Sequence, residues 1–446
     1  MDNKRKIQTI LSALARIIVY IVLVSSPLVL KRVLRIESID DNFTREVSRN
    51  FALLAVAILS MQFVVSARFK WVERPFGLDK VFRFHKAMGL LAAALLFVHP
   101  ILLAAGKSWS LLLDTRWHIL LGKLGLIVLL LLGFAGIFRL AIKLDFERWR
   151  FGHNLSAALV LLLGFLHSWY AGSDLHASAA MRFWWIGMLG VAALAYVYHR
   201  VLRPAWYRRR AYHVIEVLQE THDVWTIKLS SPEGGRRYDY LPGQFHFIKL
   251  YRGSGLPVEE HPFTISSSPA EENFVSSTIK ESGDFTATIG QTKPGDTAIV
   301  QGPYGRFSYV LHPEEKELVF IAGGVGITPL MSMLRYMRDT RTDKDVLLLY
   351  GNKTENDIIF RGELSEIEAG GYPHLKVAHI LSQAGNEWRG ETGFVDKEKI
   401  ERLCGGGLET KAFYVCGPSI MMDNVIRTLR TLGIPSGRIH HERFSL

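Results

Sequence analysis

Six apolar runs of bilayer length fill the first 198 residues, at about Ile10 to Leu30, Phe51 to Ala67, Phe84 to Ala105, Ile119 to Ile142, Leu155 to Tyr170 and Phe183 to Tyr198. Hydrocarbon offers backbone N–H and C=O groups no partner, so runs of this kind are restricted to helices that satisfy their own hydrogen bonds. Six crossings return both ends of the bundle to one side. Arg16 and Lys123 interrupt two of the runs, and each needs a partner or a route to the interface.

Basic residues set the expected orientation. Lys4, Arg5 and Lys6 open the chain, the loop from Lys143 to Arg150 is basic, and the last run leads into Arg200, Arg203, Arg208, Arg209 and Arg210. Lys and Arg excess marks the cytoplasmic side, so both termini are expected inside, in a multi-pass protein of the inner or plasma membrane. The loop from Lys31 to Asn50 opposes this with five basic residues, nearly balanced by Asp and Glu. The first run follows a basic start but lacks an obvious small-residue cleavage site, so it is expected to be retained. Of the net charge of +11, residues 1–210 carry +17 and the remainder −6. Topology and anionic lipid account for a pI near 9.5, which is therefore no case for nucleic acid. The two cysteines, Cys404 and Cys416, are too few for a disulfide framework or a Cys-ligated iron–sulfur cluster.

Four histidines give the apolar half a chemistry. His85 and His99 lie on one run and His153 and His167 on another, with the same fourteen-residue spacing in each pair. At about 100° per residue, fourteen steps end roughly 40° short of four turns, so both histidines of a pair share a face, roughly 21 Å apart along the axis. The run from Ile119 to Ile142 crosses between these two helices, which makes them parallel and sets His85 against His153 and His99 against His167. Two ligand pairs at two depths are what two stacked b-type haems need, and two axial imidazoles leave no open iron position, which suits electron transfer. The competing reading is four ordinary buried polar residues. Matched spacings and the cost of ionisable groups in lipid weigh against it.

After Arg210 the texture changes to short segments, Tyr212 to Leu218, Val224 to Leu229, Gln244 to Leu250 and Ser276 to Lys280, separated by Pro and Gly turns; this predicts an antiparallel β-barrel over 211–311. From 312 onward, strands at Leu318 to Ala322, Val346 to Tyr350, Lys376 to Leu381 and Ala412 to Cys416 alternate with amphipathic helices, predicting a parallel α/β sheet to 446. The fold class is thus multidomain: a six-helix transmembrane bundle over 1–210, then the barrel, then the α/β domain. The turn Gly323-Gly324-Val325-Gly326-Ile327-Thr328-Pro329 joins a strand to a helix, where a pyrophosphate can approach backbone N–H groups, although the same glycines alone also fit a plain tight turn.

Three further segments sharpen this. They are His261-Pro262-Phe263-Thr264-Ile265-Ser266-Ser267, Lys280-Glu281-Ser282-Gly283-Asp284-Phe285-Thr286 and Cys416-Gly417-Pro418. With them, residues 211–446 resemble the ferredoxin-reductase-like flavoproteins. Together with the histidine-bearing bundle, the whole chain resembles bacterial members of the NADPH oxidase and ferric reductase superfamily.

The resemblance implies roles for particular residues. FAD is held by His261, Pro262, Phe263, Thr264 and Ser266, with the Thr264 hydroxyl near the reactive flavin nitrogen and His261 near the pyrophosphate. Lys280, Gly283 and Thr286 belong to a second phosphate contact. Gly323, Gly324, Gly326, Thr328 and Pro329, with Cys416, Gly417 and Pro418, match the nicotinamide nucleotide site, and Tyr350, Gly351, Asn352 and Lys353 match the segment after its second strand. Cys416 is then a positioning residue beside the nicotinamide. Phe444 resembles the C-terminal aromatic that covers the flavin, except that Ser445 and Leu446 follow it here. Lys353 or Arg389 would meet a 2′-phosphate, favouring NADPH over NADH, while either equally fits a surface charge. Arg68, in the segment before His85, either contacts a haem propionate or belongs to a solvated loop.

Hydride chemistry moves electrons in pairs and haem iron takes one at a time, so a flavin belongs between them. The expected path runs from cytoplasmic NADPH through FAD to the His85 and His153 haem, then to the His99 and His167 haem and an outside acceptor. Oxygen needs only outer-sphere contact, with Arg49 either stabilising superoxide or pairing with a propionate. A ferric chelate would use the same route, though the isolated His118 and His176 make no iron site. The remaining alternative is a bundle that merely anchors a reductase serving a separate membrane or periplasmic protein. No obligate protein partner is evident, and the sequence has no D-x-[DN]-x-[DN]-G loop for calcium control.

Overall fold

Helices take up the whole apolar half: α1 (Asp2–Val33), α2 (Phe43–Ser66), α3 (Lys70–Glu73), α4 (Leu78–Gly106), α5 (Trp117–Phe138), α6 (Phe146–Ala171), α7 (Ser173–Ala177), α8 (Ala179–Val197) and α9 (Arg203–Arg208). This comes from a computed structural model, which describes residues 2–34, 36, 42–232, 235 and 237–443 and divides into two units, Asn3–Pro204 and Ala205–Leu446. Among the described residues, six helices are long and apolar enough to cross a membrane, including Ile7–Val33, Leu78–Gly106 and Phe146–Ala171. Two starts are fixed by side-chain caps: Asn42 accepts from the N–H groups of Thr44 and Arg45, and Asp145 accepts from Arg148 N–H at 3.0 Å.

Small residues let these helices approach closely. Ala55, Ala57 and Ser60 of α2 and Ala92 of α4 are buried, the packing used where lipid removes any hydrophobic drive between helices. Ile10, Ile17, Leu131, Phe183 and Leu194 stay exposed on the outside of the unit, as side chains facing lipid should. The two interrupting charges find backbone acceptors. Arg16 donates to the carbonyls of Trp71 and Ser12, and Lys123 Nζ donates to Leu112 O and Asp114 O, each at 2.7 Å.

The second unit begins with six strands, β1 (Tyr212–Thr221), β2 (Val224–Ser230), β3 (Phe245–Tyr251), β4 (Glu260–Thr264), β5 (Phe274–Lys280) and β6 (Thr297–Tyr304), in the order β4-β3-β6-β1-β2-β5 with antiparallel pairings. The barrel expected from the sequence is not closed. β4 and β5 form the two edges, and their ends are joined by the isolated Ile265–Ser277 bridge and the Ser266 N–H to Ser276 O bond at 2.8 Å rather than by a ladder. Past that bridge side chains join in: Ser276 N–H donates to Ser267 Oγ at 3.0 Å, and the Ser266 and Ser276 hydroxyls bond each other. Edge position also explains how Pro262, which has no N–H to donate, sits within β4.

The rest is an all-parallel sheet of β7 (Glu317–Gly323), β8 (Asp345–Asn352), β9 (His374–Leu381), β10 (Glu391–Thr392), β11 (Ala412–Cys416) and β12 (Ile439–His441), ordered β10-β9-β8-β7-β11-β12. Strand alternation sends Leu318, Phe320 and Ala322 to one face with α10 (Ile327–Asp339) and α11 (Arg361–Gly370). It sends Val319 and Ile321 to the other, with α12 (Lys397–Cys404) and α13 (Ser419–Thr431). The order reverses between β7 and β11, and such a switch point is where open α/β sheets bind ligands.

Arg335 of α10 ties the two sheets together. It donates to Ser266 O at 2.6 Å and makes a two-pronged pair with Glu363 at 2.9 and 2.6 Å. Burial works to raise the Glu363 pKa, but the Arg335 contacts outweigh it and hold the carboxyl below its usual value of 4.5. A depressed folded pKa stabilises above the unfolded value and loses that stabilisation as pH falls through the folded one. Arg335→Ala is therefore expected to cost about 2–3 kcal/mol, near the lower end for a buried pair because both side chains keep some exposure. Heating with flavin fluorescence as the readout checks this. The wild type should lose stability as pH drops below about 4.5, and the variant should lose less over the same interval.

Candidate functional site

In the membrane unit, α4 carries His85 and His99, and α6 carries His153 and His167. The His85 and His153 ring centroids lie 6.0 Å apart with planes 24° from parallel. Two imidazoles on opposite sides of one metal ion, each nitrogen at about 2 Å from it, have centroids about 6 Å apart, a separation these rings match. Their Nδ1 atoms are buried with no hydrogen-bond partner among the described residues, so no described group fixes the tautomer of this pair.

The second pair is held differently. His99 Nδ1 lies 2.9 Å from Ser48 O, and His167 Nδ1 lies 2.8 Å from His118 O. A carbonyl can only accept, so each Nδ1 carries the proton and each Nε2 keeps its lone pair, the orientation found when a ring nitrogen ligates a metal. His167 lies within electrostatic reach of His99. Room for the His167 ring depends on Gly122, where an added Cβ would stand 2.6–2.8 Å from three ring atoms. The residues thus fit two axially ligated haems. Ser48, Gly122 and the His118 carbonyl escaped the sequence reading, because two of the contacts are backbone groups and the third is space.

Beside Ser48, Arg49 bonds Glu46 at 2.7 Å and Ser173 Oγ at 3.2 Å, with its Nε buried and unpartnered among the described residues. Glu46 also meets Lys31 at 2.6 Å, and Lys31 reaches Asp174 at 3.1 Å, so the charges in this corner balance. His176 lies on the short helix α7.

In the reductase unit the flavin-type residues gather on β4 and its continuation. Thr264 is buried, Phe263 stacks with Phe285 at 6.3 Å, and His261 stacks with Phe285 at 4.4 Å while bonding Glu259 at 2.8 Å. Thr286 Oγ1 accepts the Ser282 and Gly283 N–H groups, each at 2.9 Å, which shapes that turn. Lys280 is paired with Asp223 at 2.8 Å.

The glycine turn after β7 and the Cys416-Gly417-Pro418 turn after β11 meet at the switch point. A Cβ on Gly323 would strike Met421 Sδ at 2.4 Å, and one on Gly326 would strike Cys416 O at 2.5 Å and Gly417 Cα at 2.6 Å. Gly324 adopts a positive φ of 52°. Thr328 donates to Val325 O, and Pro329 opens α10 inside the core. Burial pushes the Cys416 thiol far up, so it stays protonated and suits packing rather than nucleophilic attack. Lys353 and Arg389 are both exposed in loops beyond the ends of β8 and β9. Phe444 lies outside the described residues.

Residues 51–164 match the family described as ferric reductase like transmembrane component, residues 210–308 an FAD-binding domain, and residues 320–427 an oxidoreductase NAD-binding domain. The chain belongs to the NADPH oxidase and ferric reductase superfamily. As a member, it is a multi-pass membrane oxidoreductase whose reductase modules bind FAD and NAD(P)H. It is similar to the glycine betaine monooxygenase reductase subunit of Chromohalobacter salexigens, 32% identical over 237 residues, covering 52% of this chain and 62% of that protein. It is also similar to sulfhydrogenase 2 subunit gamma of Pyrococcus furiosus, at 31% identity with 52% and 83% covered. NADH-cytochrome b5 reductase 1 of Dictyostelium discoideum is 31% identical, with 42% and 70% covered. The superfamily member thus spans a little over three-fifths of the first of these relatives.

Proposed function

We propose that this chain carries electrons from cytoplasmic NADPH across the membrane to dioxygen, with residues 1–210 as the di-haem domain, 211–311 as the flavin domain and 312–446 as the nucleotide domain. The observation that carries the proposal is the two tiers of histidines on α4 and α6, with His85 and His153 at 6.0 Å. In balance, one NADPH and two O2 give NADP+, two superoxide ions and one proton. When bound, FAD takes electrons as a hydride pair and the two haems pass them singly.

The chain's own residues bind, orient and shield. His85 and His153 would hold the inner haem, and His99 and His167 the outer one, the latter pair in tautomers set by Ser48 O and His118 O. Thr264, buried at the end of β4, would hold the reactive edge of the flavin. His261, Pro262, Phe263 and Ser266, with Lys280, Gly283 and Thr286, frame the rest of that cofactor. The turns from Gly323 to Pro329 and Cys416 to Pro418 would seat the nicotinamide nucleotide, and Lys353 or Arg389 would meet a 2′-phosphate. Arg49 has a buried Nε–H with no partner among the described residues, near His99's partner Ser48, and that donor would support charge developing on oxygen. Both termini face the cytoplasm.

The test is NADPH-driven cytochrome c reduction in air by the purified, haem- and FAD-loaded protein, with and without superoxide dismutase. Loss of the signal with dismutase supports oxygen as acceptor. A signal that persists means electrons leave directly to a metal or protein, and a ferric reductase takes the place of the oxidase.

A further inference from the structure

The reductase unit contains a cluster that electron transfer does not use. His312 and Glu315 stand three residues apart on one turn, closed by Glu315 N–H donating to His312 O at 3.1 Å. The third member, His440, comes from β12 and sits in register beside Tyr414 of β11. One ligand atom from each of the three lies within 4.8 Å of the others. Glu315 is only 4% exposed, a depth at which a carboxylate needs a counter-ion. Its two oxygens are both engaged: His440 Nε2 is 2.8 Å from Oε1, and the Tyr414 hydroxyl donates to Oε2 at 2.7 Å. The His312 and His440 rings face each other with centroids 4.2 Å apart.

We propose that His312, Glu315 and His440 form a binding site for a zinc-class divalent cation. Two imidazoles and one carboxylate are the donor set of a borderline ion such as Zn2+, whereas Mg2+ and Ca2+ want oxygen throughout. With Oε1 turned to the metal, the Tyr414 hydroxyl keeps its bond to Oε2 and fixes the carboxylate, as outer partners of metal ligands do. Water would complete the tetrahedron. A bound ion cross-links the turn that follows the flavin domain to the last strand of the nucleotide sheet, so its role is to hold the C-terminal strand rather than to take part in chemistry. The competing account is a buried His440–Glu315 ion pair with no metal.

The experiment uses the full-length protein with any affinity tag removed, stripped with a chelator and titrated with Zn2+ against a chromogenic chelator. X-ray absorption at the zinc edge, which haem iron does not obscure, is recorded on the same sample. One tight zinc per chain with imidazole scattering is expected, together with roughly 10- to 100-fold weaker binding in Tyr414→Phe and loss of the tight equivalent in His440→Ala at unchanged FAD content. The proposal is overturned if the wild type takes up no tight zinc, if the edge shows no imidazole, or if His312→Ala and His440→Ala both bind as the wild type does. Should His440→Ala shed its flavin, the wild-type edge and Tyr414→Phe decide.

Discussion

Replacing His99 by leucine is expected to remove the outer haem and to slow transfer to an outside acceptor by at least about 100-fold, while NADPH still reduces the flavin. Leucine fills similar space, favours a membrane helix and leaves α4 intact, so the variant isolates the loss of a ligand from loss of the bundle. The inner pair should survive, because His85 and His153 contact each other and not His99. Gly122→Val should give the same spectrum from the opposite helix, since its side chain displaces the His167 ring without touching any ligand's chemistry. The measurement is the reduced-minus-oxidised haem spectrum with stopped-flow flavin reduction on the same sample. An unchanged haem content and an unchanged rate to an outside acceptor would mean that the bundle is an anchor and that the histidine tiers do not conduct.

Periodicity made the histidine tiers legible, whereas their supports were not. The spacing of His85, His99, His153 and His167 is a property of the chain itself and survives into any helix that contains them. Ser48 O, His118 O and the space at Gly122 are backbone and volume, which carry no side-chain signature. The span edges were misread for an electrostatic reason. Lys31, Glu46 and Arg49 look like loop charges in sequence, yet α1 runs on to Val33 and α2 starts at Phe43 because these charges neutralise one another and Asp174. The same limit hid the cluster at Glu315, whose partner His440 is 125 residues away.

The second sheet was legible because buried parallel strands read as unbroken apolar runs; all four expected strands lie within β7, β8, β9 and β11. Closure of the first sheet was not, since β4 and β5 share one bridge while the next donor, Ser276 N–H, goes to the Ser267 hydroxyl. Hydroxyl-rich segments compete with the ladder in this way, and sequence alone does not decide the winner.

Gly326→Ala should cut NADPH reduction of the flavin by about 100-fold with FAD and haem contents unchanged. The glycine has an ordinary φ of −62°, so alanine meets no backbone penalty there and the cost is steric alone. Its Cβ would lie 2.5 Å from Cys416 O, 2.6 Å from Gly417 Cα and 2.7 Å from Cys416 C. These are backbone atoms of a turn locked to β11, not the far end of a flexible side chain, so the two turns must part. Overpacking of this kind costs about 1–3 kcal/mol in stability, which a domain of this size survives, while a shift of about 1 Å where the nicotinamide is seated is enough to spoil hydride transfer. Dithionite separates the two halves of the path: haem reduction by dithionite should match the wild type, and only the NADPH-driven rate should fall. If the NADPH-driven rate is unchanged instead, the close contact between the Gly326 and Cys416 turns is packing, and the nucleotide must be seated elsewhere along the sheet.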